Sequence, residues 1–372
     1  MNYTKKIRIA FVHDDFIQFG GAEKLFFDVI HDFKLDSQYE IKVFSSIVSP
    51  NWQKIFLENN ISYYQSFLKY FPFSYKYSKF FFVTSLFYLA FADFDFSDYD
   101  FVISSSTRFG HFLITKPNTY HISYINSPSR ALWDEKNYFY GKSFFYFLIK
   151  KLLPNKRVYD FYSHVFADLI ITNSKNIQKK VKKIYSRNSI ILFPFVNLKY
   201  IKESIEFSNS DYFILISRLV SWKRIDYVID AFNKNLQKLI VVGDGPELAR
   251  YQEMSKDNII FKGYVSENEK NSLLRGSKAL IFPQNEDFGI TILEALNYNI
   301  PVIYLNRGGA KEILNSKVGL GFGNQTSGDL NLAISNLSNF EFCTDESKKI
   351  LKNYSKDSFI YFIKKLTQSV KN

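Results

Sequence analysis

Between residues 212 and 305, short apolar runs alternate with stretches of helical spacing, and no other feature of the sequence constrains the fold as tightly. The runs are YFILIS (212–217), KLIVVG (238–243), NIIFKGYV (258–265), ALIFP (279–283) and PVIYL (301–305). The helical stretches lie near 226–235, 246–256, 267–276 and 291–298. Runs that are apolar at successive positions, rather than at every second one, are buried on both faces. Strands of that kind separated by helices build a parallel sheet covered on both sides. The first half repeats the theme more loosely, with IRIAFV, EIKVFSS, DFVISSS, YHISYIN, DLIITNS and IILFPF as candidate strands.

A chain of 372 residues exceeds what one core usually serves, so two domains are expected. The polar stretch NLKYIKESIEFSNSD (197–211) reads as the linker. The expected organisation is α/β, with two doubly wound Rossmann-like domains at 1–198 and 199–355. A terminal helix at 356–372, opened by Ser and Asp in capping positions, packs back on the first domain. Two such domains would bring the carboxyl ends of both sheets to a shared cleft, where ligands bind.

Composition removes several alternatives. The net charge of +12 favours phosphate-bearing partners, either anionic lipid or a phosphorylated small molecule. No RNA- or DNA-binding signature accompanies that charge, so nucleic acid is the least supported partner. A single cysteine, Cys343, leaves no internal disulfide and no cysteine-based zinc site, and suits a reducing cytoplasm. The five histidines show no metal-ligand spacing. MNYTKKIRIAFVHDDF reads as a first strand rather than a signal peptide. The longest apolar run, FFFVTSLFYLAFA (80–92), is shorter than the roughly 20 residues a spanning helix needs.

The residues able to do chemistry fall at strand-to-helix turns. In NEDFGITILE, Glu286 and Glu294 stand eight positions apart around Gly289. Thr291 and Glu294 fit the capping-box pattern, so one account makes Glu294 a cap of its own helix and Glu286 a solvated loop carboxylate. The other account gives the N–H groups of Phe288, Gly289 and Ile290 to an anion, with one carboxylate on a sugar hydroxyl and the other on a ribose diol. Arg218 and Lys223, in ISRLVSWKRIDY, place two cations after a strand, where they can neutralise a diphosphate leaving group. Gly243 and Gly245 in VVGDGPELARY form a lone Gly-x-Gly, readable either as donor contact or as a tight turn. Gly20 and Gly21 follow the first strand without completing GxGxxG, which removes the main support for a dinucleotide redox enzyme. Their loop could still offer backbone N–H groups to a phosphate.

Taken together, these segments resemble glycosyltransferase family 4, the retaining nucleotide-sugar transferases of GT-B fold. EDFGITILE resembles that family's pair of acids, SRLVSWKR its Arg and Lys clamp (with Ser217 where many members carry Gly), and NRGGAKEIL the Gly-Gly helix start that follows. In the first half, HISYINSPSRALWDEKNYFYG and RVYDFYSHVFADLIITNS resemble a subgroup that includes bacterial mannosyltransferases of surface polysaccharide assembly. Asn126 occupies the position where that subgroup carries a histidine, whereas Ser127, Arg130, Trp133 and Asp134 fit its pattern. His121, five residues earlier, is not assigned the missing role.

The resemblance implies retaining transfer of a hexose, mannose favoured, from a nucleotide diphosphate sugar such as GDP-mannose. The acceptor would be a hydroxyl of a lipid-linked oligosaccharide or similar glycan. Arg218 and Lys223 would take the departing diphosphate, Glu286 the donor sugar and Glu294 the ribose, with Thr291, Gly243 and Gly245 beside the donor. Gly20, Gly21, Asn126, Ser127 and Arg130 would line the acceptor side or a phosphate loop. No metal and no cofactor are implied. The aromatic and basic stretches FLKYFPFSYKYSKFFF (67–82) and GKSFFYFLIKKLLPNKR (141–157) suit an anionic bilayer, giving an enzyme peripheral to the cytoplasmic face of the membrane. Two alternatives stay open on sequence: transfer to a soluble glycan or small sugar, and a non-catalytic nucleotide-sugar or membrane-surface binding protein.

Overall fold

A computed structural model describes residues 6–71, 74, 86–139, 147, 150–196 and 211–370. Most of the 197–211 linker, and large parts of the 67–82 and 141–157 stretches, lie outside the described residues. The chain forms two compact units: Met1–Pro194 together with Asp357–Asn372, and Phe195–Lys356.

The first unit holds a parallel sheet of seven strands: β1 (Ile7–His13), β2 (Tyr39–Ser45), β3 (Tyr63–Gln65), β4 (Phe101–Ser106), β5 (Tyr120–Ile125), β6 (Leu169–Thr172) and β7 (Ile190–Ile191), in spatial order β3-β2-β1-β4-β5-β6-β7. The second holds six: β8 (Tyr212–Ile216), β9 (Lys238–Val242), β10 (Ile259–Gly263), β11 (Leu280–Phe282), β12 (Val302–Leu305) and β13 (Gly319–Phe322), in order β10-β9-β8-β11-β12-β13. Both are doubly wound Rossmann-like sheets, as the apolar runs predict. The central strands are apolar because helices cover both faces; Phe213, Leu215, Leu239, Val241, Ile281 and Ile303 share one buried cluster with Val228, Ile229 and Phe232 of the helix Asp226–Asn235.

Two edge strands were not expected from the sequence. β3 is three residues long, and β13 is GLGF, which has too few apolar side chains to register as a run. Its glycines answer to packing instead: a Cβ on Gly319 would sit 2.4 Å from the Val302 carbonyl oxygen. The last helix, Lys356–Ser369, belongs to the first unit. There Lys364 bonds Asp36 at 2.6 Å, the Tyr39 hydroxyl meets that of Thr367 at 3.2 Å, and Phe359 packs edge-on to Tyr124.

Candidate active site

In the second unit β8 and β11 lie side by side at the centre, yet β8 continues to β9 on one side and β11 to β12 on the other. Loops leaving their carboxyl ends therefore diverge, and the crevice between them is where open α/β sheets bind ligands. The β8 loop carries Arg218 and Lys223, and the β11 loop carries Glu286. Lys223 sits in a 3₁₀ turn, Ser221–Lys223, closed by Arg224 in the left-handed region at φ 54°. Its ammonium pairs with the Glu286 carboxylate, to which Gln284 Nε2 also donates at 3.3 Å. The lysine side chain is only 11% exposed, so the pair is screened far less than a surface one. Arg218 stands two residues past β8 with its side chain exposed. Two acceptor atoms in these loops, Ser221 Oγ and Gln284 Oε1, are buried without a hydrogen-bond partner among the described residues.

Glycines set the backbone of this crevice. Gly308 (φ +61°) and Gly309 lie directly on the acidic loop, and Gly309 N donates to the Glu286 carbonyl at 2.8 Å. A Cβ on Gly308 would stand 2.2 Å from that carbonyl oxygen, and one on Gly309 2.2 Å from that of Phe288. Gly308→Ala combines a left-handed backbone with steric overlap, and should cost about 2 kcal/mol. Thermal denaturation will read this as a lowered Tm; a Tm within about a degree of wild type would disprove the close fit. Gly243 and Gly245 act likewise for the β8 loop. Their Cβ atoms would stand 2.0 and 2.2 Å from the carbonyl oxygens of Ser217 and Leu219, on either side of Arg218.

Of the two accounts of Thr291 and Glu294, the capping box does not hold. The helix Ile290–Asn297 starts at Gly289, in a left-handed conformation (φ +109°), and no side chain caps it. Thr291 is already helical, so it cannot serve as an N-cap. Glu294 instead turns toward a neighbouring helix, where Lys270 Nζ donates to its Oε1 at 2.8 Å; its Oε2 is buried without a partner among the described residues. Lys270 was not legible as a site residue, since its partner lies 24 positions away on another element. Phe288 is buried against Tyr354 and contributes backbone, not side chain, to the crevice.

The first unit has the same switch point, between β1 and β4. There Asp14 accepts bonds from the backbone N–H groups of Thr107 (2.6 Å), Arg108 (2.9 Å), Phe109 (2.7 Å) and Gly110 (2.5 Å), and from the Thr107 hydroxyl. Burial alone would raise its pKa, but the Arg108 guanidinium, the neighbouring His13 and the N–H groups of Thr107 and Phe109 prevail and lower it to about 2. Gly20 caps the helix Gly21–Leu35, and the Glu23 carboxylate folds back over it: a Cβ on Gly20 would lie 2.4 Å from Glu23 Oε2. Burial raises the pKa of that carboxyl.

Asn126, at the end of β5, donates to Ser105 Oγ at 2.9 Å. Ser127 is buried with its hydroxyl on the Pro128 carbonyl, and Arg130 opens the short helix Arg130–Trp133. The helix Leu153–Ser163 secures that segment: Asp160 accepts from Trp133 Nε1 at 2.6 Å, and Arg157 bonds the Leu132 carbonyl at 2.7 Å and Glu135 at 2.9 Å. The two subgroup-like stretches are thus one packed assembly. His121 lies inside the sheet on Ser104 Oγ at 2.9 Å, and burial lowers its pKa to about 3.

Two doubly wound parallel sheets in one chain, each with polar side chains at its switch point, define the GT-B architecture. Residues 196–358 match the family model described as glycosyl transferases group 1, so the second unit carries a domain of that family. Among curated relatives, the alpha-1,3/1,6-mannosyltransferase ALG2 of Yarrowia lipolytica is 33% identical over 120 residues, covering 32% of this chain and 24% of that protein. ALG2 of Saccharomyces cerevisiae is 29% identical over 267 residues, covering 56% and 52%. The N-acetyl-alpha-D-glucosaminyl L-malate synthase of Bacillus anthracis is 29% identical over 128 residues, covering 32% and 33%. The chain thus spans from about a quarter to about half the length of these relatives. HepE of Anabaena, solved in complex with UDP-glucose, superposes with a TM-score of 0.70 at 15% identity, over 98% of this chain and all of that one; the likeness speaks for the fold.

Proposed function

We propose that the protein is a retaining, metal-independent hexosyltransferase that uses a nucleotide diphosphate sugar, with GDP-mannose the favoured donor. The observation that carries this reading is the Lys223–Glu286 pair at the switch point of a group 1 glycosyltransferase domain. The donor diphosphate takes over Lys223, joined by Arg218, and Glu286 turns to the sugar hydroxyls. The anomeric C–O bond to phosphate breaks as the acceptor oxygen bonds the same carbon from the same face. The acceptor proton passes to the leaving phosphate oxygen. The two cations act where charge grows in the transition state, and so affect turnover more than ground-state binding. Mannose as donor sugar rests on the ALG2 relatives. Thermal shift and transfer assays with GDP-, UDP- and dTDP-hexoses test the reading. GDP-mannose should give the largest shift and the fastest turnover, and no response to any donor would overturn it.

The lipid-linked acceptor and the membrane surface belong to the same proposal. No described helix is long and apolar enough to cross a membrane. Val158, Tyr159, Tyr162, Val165 and Phe166 are exposed along one helix and its 3₁₀ extension, with Tyr162 at 61% and Val165 at 62%. Lys150 and Lys151 are exposed just before them, and the one acid among residues 150–166, Asp160, is buried. That combination suits an anionic bilayer. Liposome flotation should show binding that increases with phosphatidylglycerol content and weakens several-fold in Tyr162→Ser/Val165→Ser. Equal recovery with neutral and anionic vesicles would disprove it.

A further inference from the structure

We infer that Lys270 is a positioning residue for nucleotide recognition: it ties down one oxygen of Glu294 so that the other is presented to a ribose hydroxyl. The inference rests on the reading above that a nucleoside diphosphate occupies this site. Lys270 lies in the first turns of the helix Glu267–Arg275, whose N-cap Ser266 accepts from Glu269 N. Its ammonium is held between two carboxylates, Glu267 on its own helix and Glu294 across from it. The lysine side chain is 14% exposed and that of Glu294 22%. Burial alone would lower the ammonium pKa; Glu294, then Glu267, outweighs it and raises the value above normal, so the lysine stays charged. Glu294 therefore has Oε1 fixed at 2.8 Å while Oε2 is buried without a partner among the described residues. A buried carboxylate oxygen without a donor is costly, and a ribose hydroxyl is a donor of the right kind.

The consequence is a specific kind of selectivity. Removing Lys270 frees the Glu294 side chain to rotate, which weakens only those contacts made through its carboxylate. Loss of a positive charge, by contrast, would weaken every phosphate ligand alike. Calorimetry with GDP and UDP against their 2′,3′-dideoxy forms separates the two. Wild type should prefer the ribose form by roughly 10- to 100-fold, as expected for a hydrogen bond to a charged group. Lys270→Met should reduce that preference to about threefold or less, with Lys270→Arg retaining most of it. A preference unchanged in Lys270→Met, or a loss shared equally by ribose and dideoxy ligands, would overturn the positioning role while leaving the donor site in place. Failure of wild type to bind either nucleotide would remove both the inference and the reading it rests on.

Discussion

Lys223→Ala should lower hexosyl transfer by about 10²- to 10³-fold, a loss of roughly 3–4 kcal/mol of transition-state stabilisation. The lysine meets the Glu286 carboxylate and is mostly buried, so its charge acts with little solvent screening. During transfer the departing diphosphate gains charge, and a fixed cation there is worth more in the transition state than in the bound donor. The alanine variant also leaves Glu286 without its ammonium partner, and that carboxylate would repel the incoming diphosphate. The double variant Lys223→Ala/Glu286→Gln separates these effects. It should recover donor affinity and thermal stability toward wild type, because the uncompensated charge is gone, yet remain as slow in transfer. A single Lys223→Ala variant with turnover within about threefold of wild type would refute the assignment of the leaving-group cation.

Asp14→Asn should be the most destabilising conservative change in the first unit, costing about 4 kcal/mol or more in denaturant unfolding at neutral pH. Four consecutive N–H groups, from Thr107 to Gly110, converge on that one carboxylate. An amide supplies a single acceptor oxygen and turns two hydrogens toward donors. The pH dependence carries a definite sign. The folded carboxyl titrates at about 2, below its ordinary value of 3.8, so its contribution is fully present above about pH 4 and is lost as pH falls toward 2. The size of that shift corresponds to about 2 kcal/mol. The stability gap between wild type and Asp14→Asn should therefore narrow by about that amount between pH 7 and pH 2. A gap that stays constant over that range would show that the carboxylate charge is not what organises the loop.

The acid pair around Gly289 and the cations after β8 were legible because each lies at a strand-to-helix turn that local pattern can place. What they do to one another was not. Lys223 and Glu286 are far apart in sequence, and their pairing requires β8 and β11 to be neighbours. Thr291 and Glu294 left two accounts open in the sequence: the spacing of a capping box is satisfied, but a left-handed glycine starts the helix first and leaves the threonine inside it. Asp14 was not legible as a structural residue, because its role depends on where the loop after β4 returns.

The sequence by itself determined the strands other than the short edges β3 and β13, and their parallel, doubly covered arrangement, because burial of apolar runs is a local demand that each segment expresses alone. Only the tertiary structure decided which charges meet. Lys223 with Glu286, Lys270 with Glu294 and Asp160 with Trp133 are each brought together by crossover connections. The physical reason is range: a hydrogen bond or ion pair needs contact within a few ångströms, and for residues on different elements the order of strands in the sheet sets that distance.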